Sequence, residues 1–148
     1  DDPAWLKRCA DDQARIEQWT LAAGNVTLTG RLTKAQLAEE MLSAALCLYP
    51  NNFWETFCLT ALETQSAGTP MITTRLGALA TALTDAGNVL IDHSPFSDEY
   101  RQEFTQATVE LMHNYEKRNQ LSEMCISHAA QQPSWDGVAQ QWERILWK

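Results

Sequence analysis

The chain has 148 residues, 45% of them apolar and 20% charged, with a formal charge of −8 and a pI near 4.7. That length and composition suit one globular domain with a real core. They argue against a broad nucleic-acid surface, which needs clustered Lys and Arg, and no run of eighteen apolar residues predicts a membrane span.

In chain order, residues 4–20 place Trp5, Leu6, Cys9, Ile16 and Trp19 among charges, as an amphipathic helix does, and Gly24-Asn25 ends it. VTLTG (26–30) reads as a short strand closed by glycine. Thr33 is the expected N-cap of a helix from Lys34. ALCLYP (45–50) is a continuous apolar run stopped by proline, the pattern of a strand buried on both faces. FCLTALETQSA (57–67) predicts a helix with Gly68 as its C′ residue and Pro70 forbidding continuation. MITT (71–74) and NVLID (88–92) are further strands, with one or two helical turns near 79–83. From about Asp98 the chain reads as helix only: one element over 98–118, a second over 121–131, and a third from Trp135 after Pro133-Ser134.

Strands alternating with helices at these lengths favour parallel pairing and right-handed crossovers. The expected fold is α/β, a Rossmann-like open parallel sheet with helices on both faces and a helical tail over 98–148. The expected organisation is a single domain over 1–148. With four predicted strands and a start at Asp1 without Met, the chain is expected to be an N-terminally truncated piece of a longer protein.

No C-x-x-C links Cys9, Cys47, Cys58 and Cys125, so free thiols in a reducing cytosol are expected. No basic-then-apolar start marks a signal peptide. Asn25-Val26-Thr27 matches a glycosylation sequon but falls where a strand is expected.

Ligands of open α/β sheets bind beyond the carboxyl ends of the strands. There, Glu55 precedes the helix that carries Glu63, with seven residues between them. Free amides of Phe57, Cys58, Leu59 and Thr60 at that helix start form an anion seat. Eight residues of helix span about 12 Å, comparable to the reach from a hexose across a diphosphate to a ribose. Carboxylates accept well from sugar hydroxyls. The same glutamates also read as a favourable helix-dipole charge and a solvated helix residue.

The stretch VTLTGRLTKAQLAEEMLSAALCLYPNNFWETFCLTALETQSAGTPMITTRLGALATALTDAGNVLI closely resembles the C-terminal, donor-binding half of retaining GT-B glycosyltransferases, the group 1 hexosyltransferases. Residues 25–92 carry the likeness, through E-x7-E followed by SAGTP, a strand and a Gly-containing loop, and it extends loosely to SWDGVAQQWERIL. The resemblance implies that Glu55 meets the donor hexose as the catalytic-site carboxylate. It implies that amides of Phe57, Cys58 and Leu59 meet the diphosphate and Glu63 the ribose, and that Arg31 and Leu32 line the base pocket. It further implies hexose transfer with retention from a nucleotide-sugar donor, UDP- or GDP-linked, in glycan or glycoconjugate synthesis. Helix-start amides and basic side chains stabilise the leaving group, so no metal and no cofactor are expected.

The expected partner is an N-terminal acceptor-binding domain of the same protein. The isolated chain is expected to be inactive, because the active site lies between two halves. A cytoplasmic location is expected, with peripheral membrane association of the full-length protein left open. Three departures stand out: Cys58 where the family often has Gly, Ala80-Thr81 where it often has Pro-Glu, and no position for its upstream basic pair.

Other readings stay open: a GT-B epimerase or phosphorylase, or a non-catalytic nucleotide- or partner-binding domain. His93 follows a strand on the ligand side, whereas His113 and His128 read as surface. Trp5, Trp19, Trp135, Trp142 and Trp147 read as packing, and Trp54, beside Glu55, as either a lid or a sugar platform. Ser43, Ser66 and Ser134 lack the G-x-S-x-G context of a hydrolase.

Overall fold

The computed structural model describes residues 2–83, 85 and 87–147. The chain separates into two compact units, Asp1–Thr33 and Lys34–Lys148. In the first, helix α1 spans Pro3–Ala23. Asp2 caps it by accepting from the Ala4 amide, and Gly24 ends it with φ of 69°.

The strand expected over 26–30 is not formed. That segment is irregular, and Val26 and Leu28 are exposed. A strand exists only by pairing its amides and carbonyls with a neighbour, and none of the three observed strands pairs with these residues.

The second unit holds α2 (Lys34–Ser43), β1 (Cys47–Tyr49), α3 (Leu59–Ser66), β2 (Met71–Thr74), α4 (Leu79–Ala82), β3 (Val89–Ile91), α5 (Asp98–His113), α6 (Tyr115–Gln131) and α7 (Trp135–Leu146). The three strands form one parallel sheet, ordered β1-β2-β3. Leu48 pairs with Ile72 and Ile72 with Val89.

Side-chain alternation then makes two layers. Met71 and Leu90 pack with Ala61 of α3 and Leu79 of α4 on one face. Ile72 and Ile91 pack with Tyr100 and Leu111 of α5 on the other. Helices therefore cover both faces, and the central strand is buried at every residue, as its unbroken apolar and threonine run requires.

The predicted helix over 98–118 is in fact two. Asn114 leaves helical geometry at φ −106°, ψ 86°, and its side chain caps α6 by accepting from the Lys117 amide at 2.9 Å. Asparagine gains more as an N-cap than inside a helix, which the apolar period does not reveal.

Helix α6 runs beneath the amino ends of β2 and β3. A Cβ on Gly68 would lie 2.9 Å from the Ile126 side chain, and one on Gly87 would lie 2.6 Å from the Cys125 nitrogen. The fully buried Cys125 thiol donates to the Gly87 carbonyl at 3.1 Å. Burial pushes that thiol up to about 11. Because the folded value lies above the unfolded one, the contribution is intact below the unfolded thiol range, near pH ~8.5. It is lost as pH rises toward the folded value. Thermal melts between pH 8 and 11 are expected to show stability falling with a slope of about 1.4 kcal/mol per pH unit from this group. Cys125→Ala is expected to flatten the slope.

Among the described residues, no helix is long and apolar enough to cross a membrane.

Candidate functional site

The carboxyl ends of β1 and β2 carry the loops of interest. Asn51, just after β1, is buried, and its side chain closes a turn on Phe53. Its Nδ2 donates to the Phe53 carbonyl at 2.8 Å, and its Oδ1 accepts from the Phe53 amide at 3.1 Å. The Asn51 carbonyl accepts from the hydroxyl of Thr74, the last residue of β2. Thr74 also pairs with the Tyr100 hydroxyl at 2.8 Å. A carbonyl can only accept, so the single Thr74 hydrogen goes to Asn51 and Tyr100 supplies the second. Thus the loop after β1 is tied to β2 and, through it, to α5.

Glu55 lies in that loop and is half-buried. Its Oε1 accepts from the Tyr49 hydroxyl at 2.8 Å, and its carbonyl accepts from the Ala78 amide at 2.9 Å. Burial, and then the bond to Glu55, holds the Tyr49 phenol far above its ordinary range. Burial raises Cys58 as well. Both therefore stay neutral beside the carboxylate to which Tyr49 donates. Gly77 makes this possible: its φ is +58°, and a Cβ there would lie 2.5 Å from the Glu55 carbonyl oxygen.

Helix α3 begins at Leu59, with Cys58 as its N-cap. The expected start at Phe57 is corrected accordingly. Phe57 lies before the helix, with its ring exposed. The first intrahelical bond runs from the Leu62 amide to the Cys58 carbonyl at 3.4 Å. The amides left over at the start of α3 are therefore those of Cys58, Leu59, Thr60 and Ala61. No side chain caps them. An acceptor-poor thiol at the N-cap leaves the positive end of the helix open to an anion.

Glu63 is exposed one turn into α3. It lines a groove of about 460 Å³ with Lys34, Leu37 and Met41 of α2, Leu59 and Leu62 of α3, and Trp135. Glu55 is not part of this groove. Glu55 is tied to Tyr49 and Ala78, whereas Glu63 lines the groove beside α2. Arg31 and Leu32 belong to the first unit, the former exposed and the latter half-buried.

The Arg75 guanidinium meets Asp85 at 2.6 Å and Asp92 at 2.8 Å, which braces the ends of β2 and β3. Its fork is engaged with carboxylates on both sides. Ala80 and Thr81 fall within α4, where Thr81 donates to the Ala78 carbonyl. His93 pairs with Glu103 at 3.5 Å, away from Glu55. Among the described residues, no cluster of three His, Cys, Asp or Glu side chains could hold a metal ion.

Sequence reasoning missed Tyr49, Gly77 and Lys34. A hydroxylated aromatic as the last residue of an apolar strand was the signal for Tyr49; that strand, expected to be buried on both faces, is an edge strand with Leu48 exposed. Lys34 and Gly77 gave none beyond their places at a helix start and a strand-end loop.

Residues 5–114 match the family described as glycosyl transferases group 1. The chain belongs to that family. It resembles D-inositol 3-phosphate glycosyltransferase of Corynebacterium aurimucosum, at 34% identity over 62% of this chain and 20% of that protein. The enzyme of the same name from Corynebacterium urealyticum is 31% identical over 75% of this chain and 26% of its own length. The chain thus spans about a fifth to a quarter of the curated relatives it matches. Among solved structures, sucrose-phosphate synthase from Thermosynechococcus elongatus superposes with a TM-score of 0.71 at 21% identity, over 92% of this chain and 34% of that one. That likeness places this group 1 glycosyl transferase chain in the C-terminal half of the GT-B fold.

Proposed function

We propose that this chain is the donor-binding portion of a retaining glycosyltransferase that moves a hexose from a nucleoside diphosphate to an acceptor. The observation that carries this reading is Glu55, its carboxylate held by Tyr49 and its backbone carbonyl by the Ala78 amide, beside an uncapped helix start.

Each part has a chemical task. Glu55 accepts from hydroxyls of the hexose and fixes its orientation. The amides of Cys58 to Ala61 take the diphosphate and stabilise the charge that builds on the leaving group. Glu63 takes the ribose hydroxyls, and Lys34, across the same groove, adds a positive charge near the nucleotide.

The acceptor is held by a second, N-terminal half of the protein, and the reaction takes place in the cleft between the two. The chain by itself is expected to bind donor without turning it over. A UDP- or GDP-linked donor, a role in glycoconjugate synthesis and a cytoplasmic site of action are parts of this proposal.

Calorimetric titration of the chain with UDP, GDP and ADP tests it. Micromolar to millimolar binding of one nucleotide is expected. Glu63→Ala is expected to weaken it roughly tenfold or more, since a hydrogen bond to a charged group contributes about 1.5–3 kcal/mol. Absence of binding by all three nucleotides would leave a non-catalytic, partner-binding role as the better account.

A further inference from the structure

Around Glu55, one large side chain has no partner that explains it. Trp54 is 74% exposed, in a loop whose backbone is otherwise fixed. On one side the Asn51 side chain locks Phe53, and on the other the Glu55 carbonyl accepts from Ala78. The backbone that carries the indole is therefore held on both sides. The indole Cδ1 lies 3.3 Å from where a Gly77 Cβ would be, so the ring edge rests over the glycine turn. Among the described residues it takes part in no aromatic pair and no cation–π contact. It is not core.

The neighbouring carboxylate is only partly used. Tyr49 donates to one oxygen. An ionised carboxylate offers about four lone-pair sites, so most remain for a ligand. A hexose is built to meet such a pair, having a rim of hydroxyl donors and an apolar C–H face. An exposed indole one residue from a carboxylate can take the face while the carboxylate takes the rim.

We propose that Trp54 is the sugar platform of this site: its indole stacks on the hexose whose hydroxyls Glu55 holds, and so sets how much better the conjugate binds than the bare nucleotide. The proposal rests on the donor-site reading above and adds to it a residue for selecting the sugar.

The test compares affinities of the intact chain for UDP against UDP-glucose and for GDP against GDP-mannose, in wild type, Trp54→Ala and Trp54→Phe. Far-UV dichroism and melting temperature check that each variant is folded. In the wild type, one conjugate is expected to bind about tenfold tighter than its nucleotide. Trp54→Ala is expected to erase that increment and leave nucleotide affinity within about twofold. Trp54→Phe should retain most of it, because an aromatic face remains.

If Trp54→Ala keeps the increment, the indole does not touch the sugar and the proposal is overturned while the donor site stands. If it weakens nucleotide and conjugate alike, Trp54 acts through the loop, and the platform role is again overturned. If the wild type binds neither nucleotide nor conjugate, the donor-site reading falls and takes this proposal with it.

Discussion

Thr74→Val is expected to lower the unfolding free energy by about 2–4 kcal/mol in urea denaturation. The substitution keeps the shape of the side chain and removes only its hydroxyl. Two buried groups then lose their partner, the Asn51 carbonyl and the Tyr100 hydroxyl. Each orphaned buried group costs about 1–3 kcal/mol, against a total stability of about 5–15 kcal/mol for a domain. The loop bearing Glu55 hangs from this bond, so nucleotide binding should weaken as well. Thr74→Ser keeps the hydroxyl and loses one methyl, and should cost only about 1 kcal/mol. A valine variant as stable as the wild type would mean that the hydroxyl contributes nothing net.

The second large effect is expected at Gly77. Alanine there must adopt φ of +58° and place its Cβ 2.5 Å from the Glu55 carbonyl oxygen and 3.0 Å from the Glu55 nitrogen. The left-handed conformation costs an L-residue about 1–2 kcal/mol, and overpacking against backbone adds about 1–3 kcal/mol. Glu55 itself must move, because its carbonyl is both the obstructed atom and the acceptor of the Ala78 amide. Gly77→Ala should therefore lose about 2–4 kcal/mol of stability and, where it still folds, weaken binding of the nucleotide sugar more than of the bare nucleotide. Equal weakening of both would place the disturbance at the α3 amides instead of at Glu55. An unchanged urea midpoint would show that the turn relaxes without strain.

The sheet was readable because its strands are short apolar runs between Gly, Pro and Asn. Residues 45–50, 71–74 and 88–92 were each assigned within three residues at either end. Residues 26–30 have the same alternation yet form no strand, because alternation reports a face and not a partner. The break at Asn114 escaped because capping competes with helix continuation over a single residue. The spacing of Glu55 and Glu63 was visible in the chain, but the start of α3 between them was not, and it lies at Leu59 instead of Phe57. The partners of Glu55 were hidden for a related reason. Tyr49 lies six residues back and Ala78 well downstream, and only the sheet brings them together.

Cys58 shows how this chain divides its loyalties between folding and ligand. Serine or aspartate at an N-cap would fasten the first turn of α3 and stabilise it by about 1 kcal/mol. It would do so by occupying amides at the helix start. Cys58 makes no side-chain cap hydrogen bond, so those amides stay uncapped. The helix is thus less secure alone than it could be, and that deficit is recoverable whenever an anion arrives. A ligand at this position would complete the helix as well as bind to it, so occupancy and local rigidity would rise together.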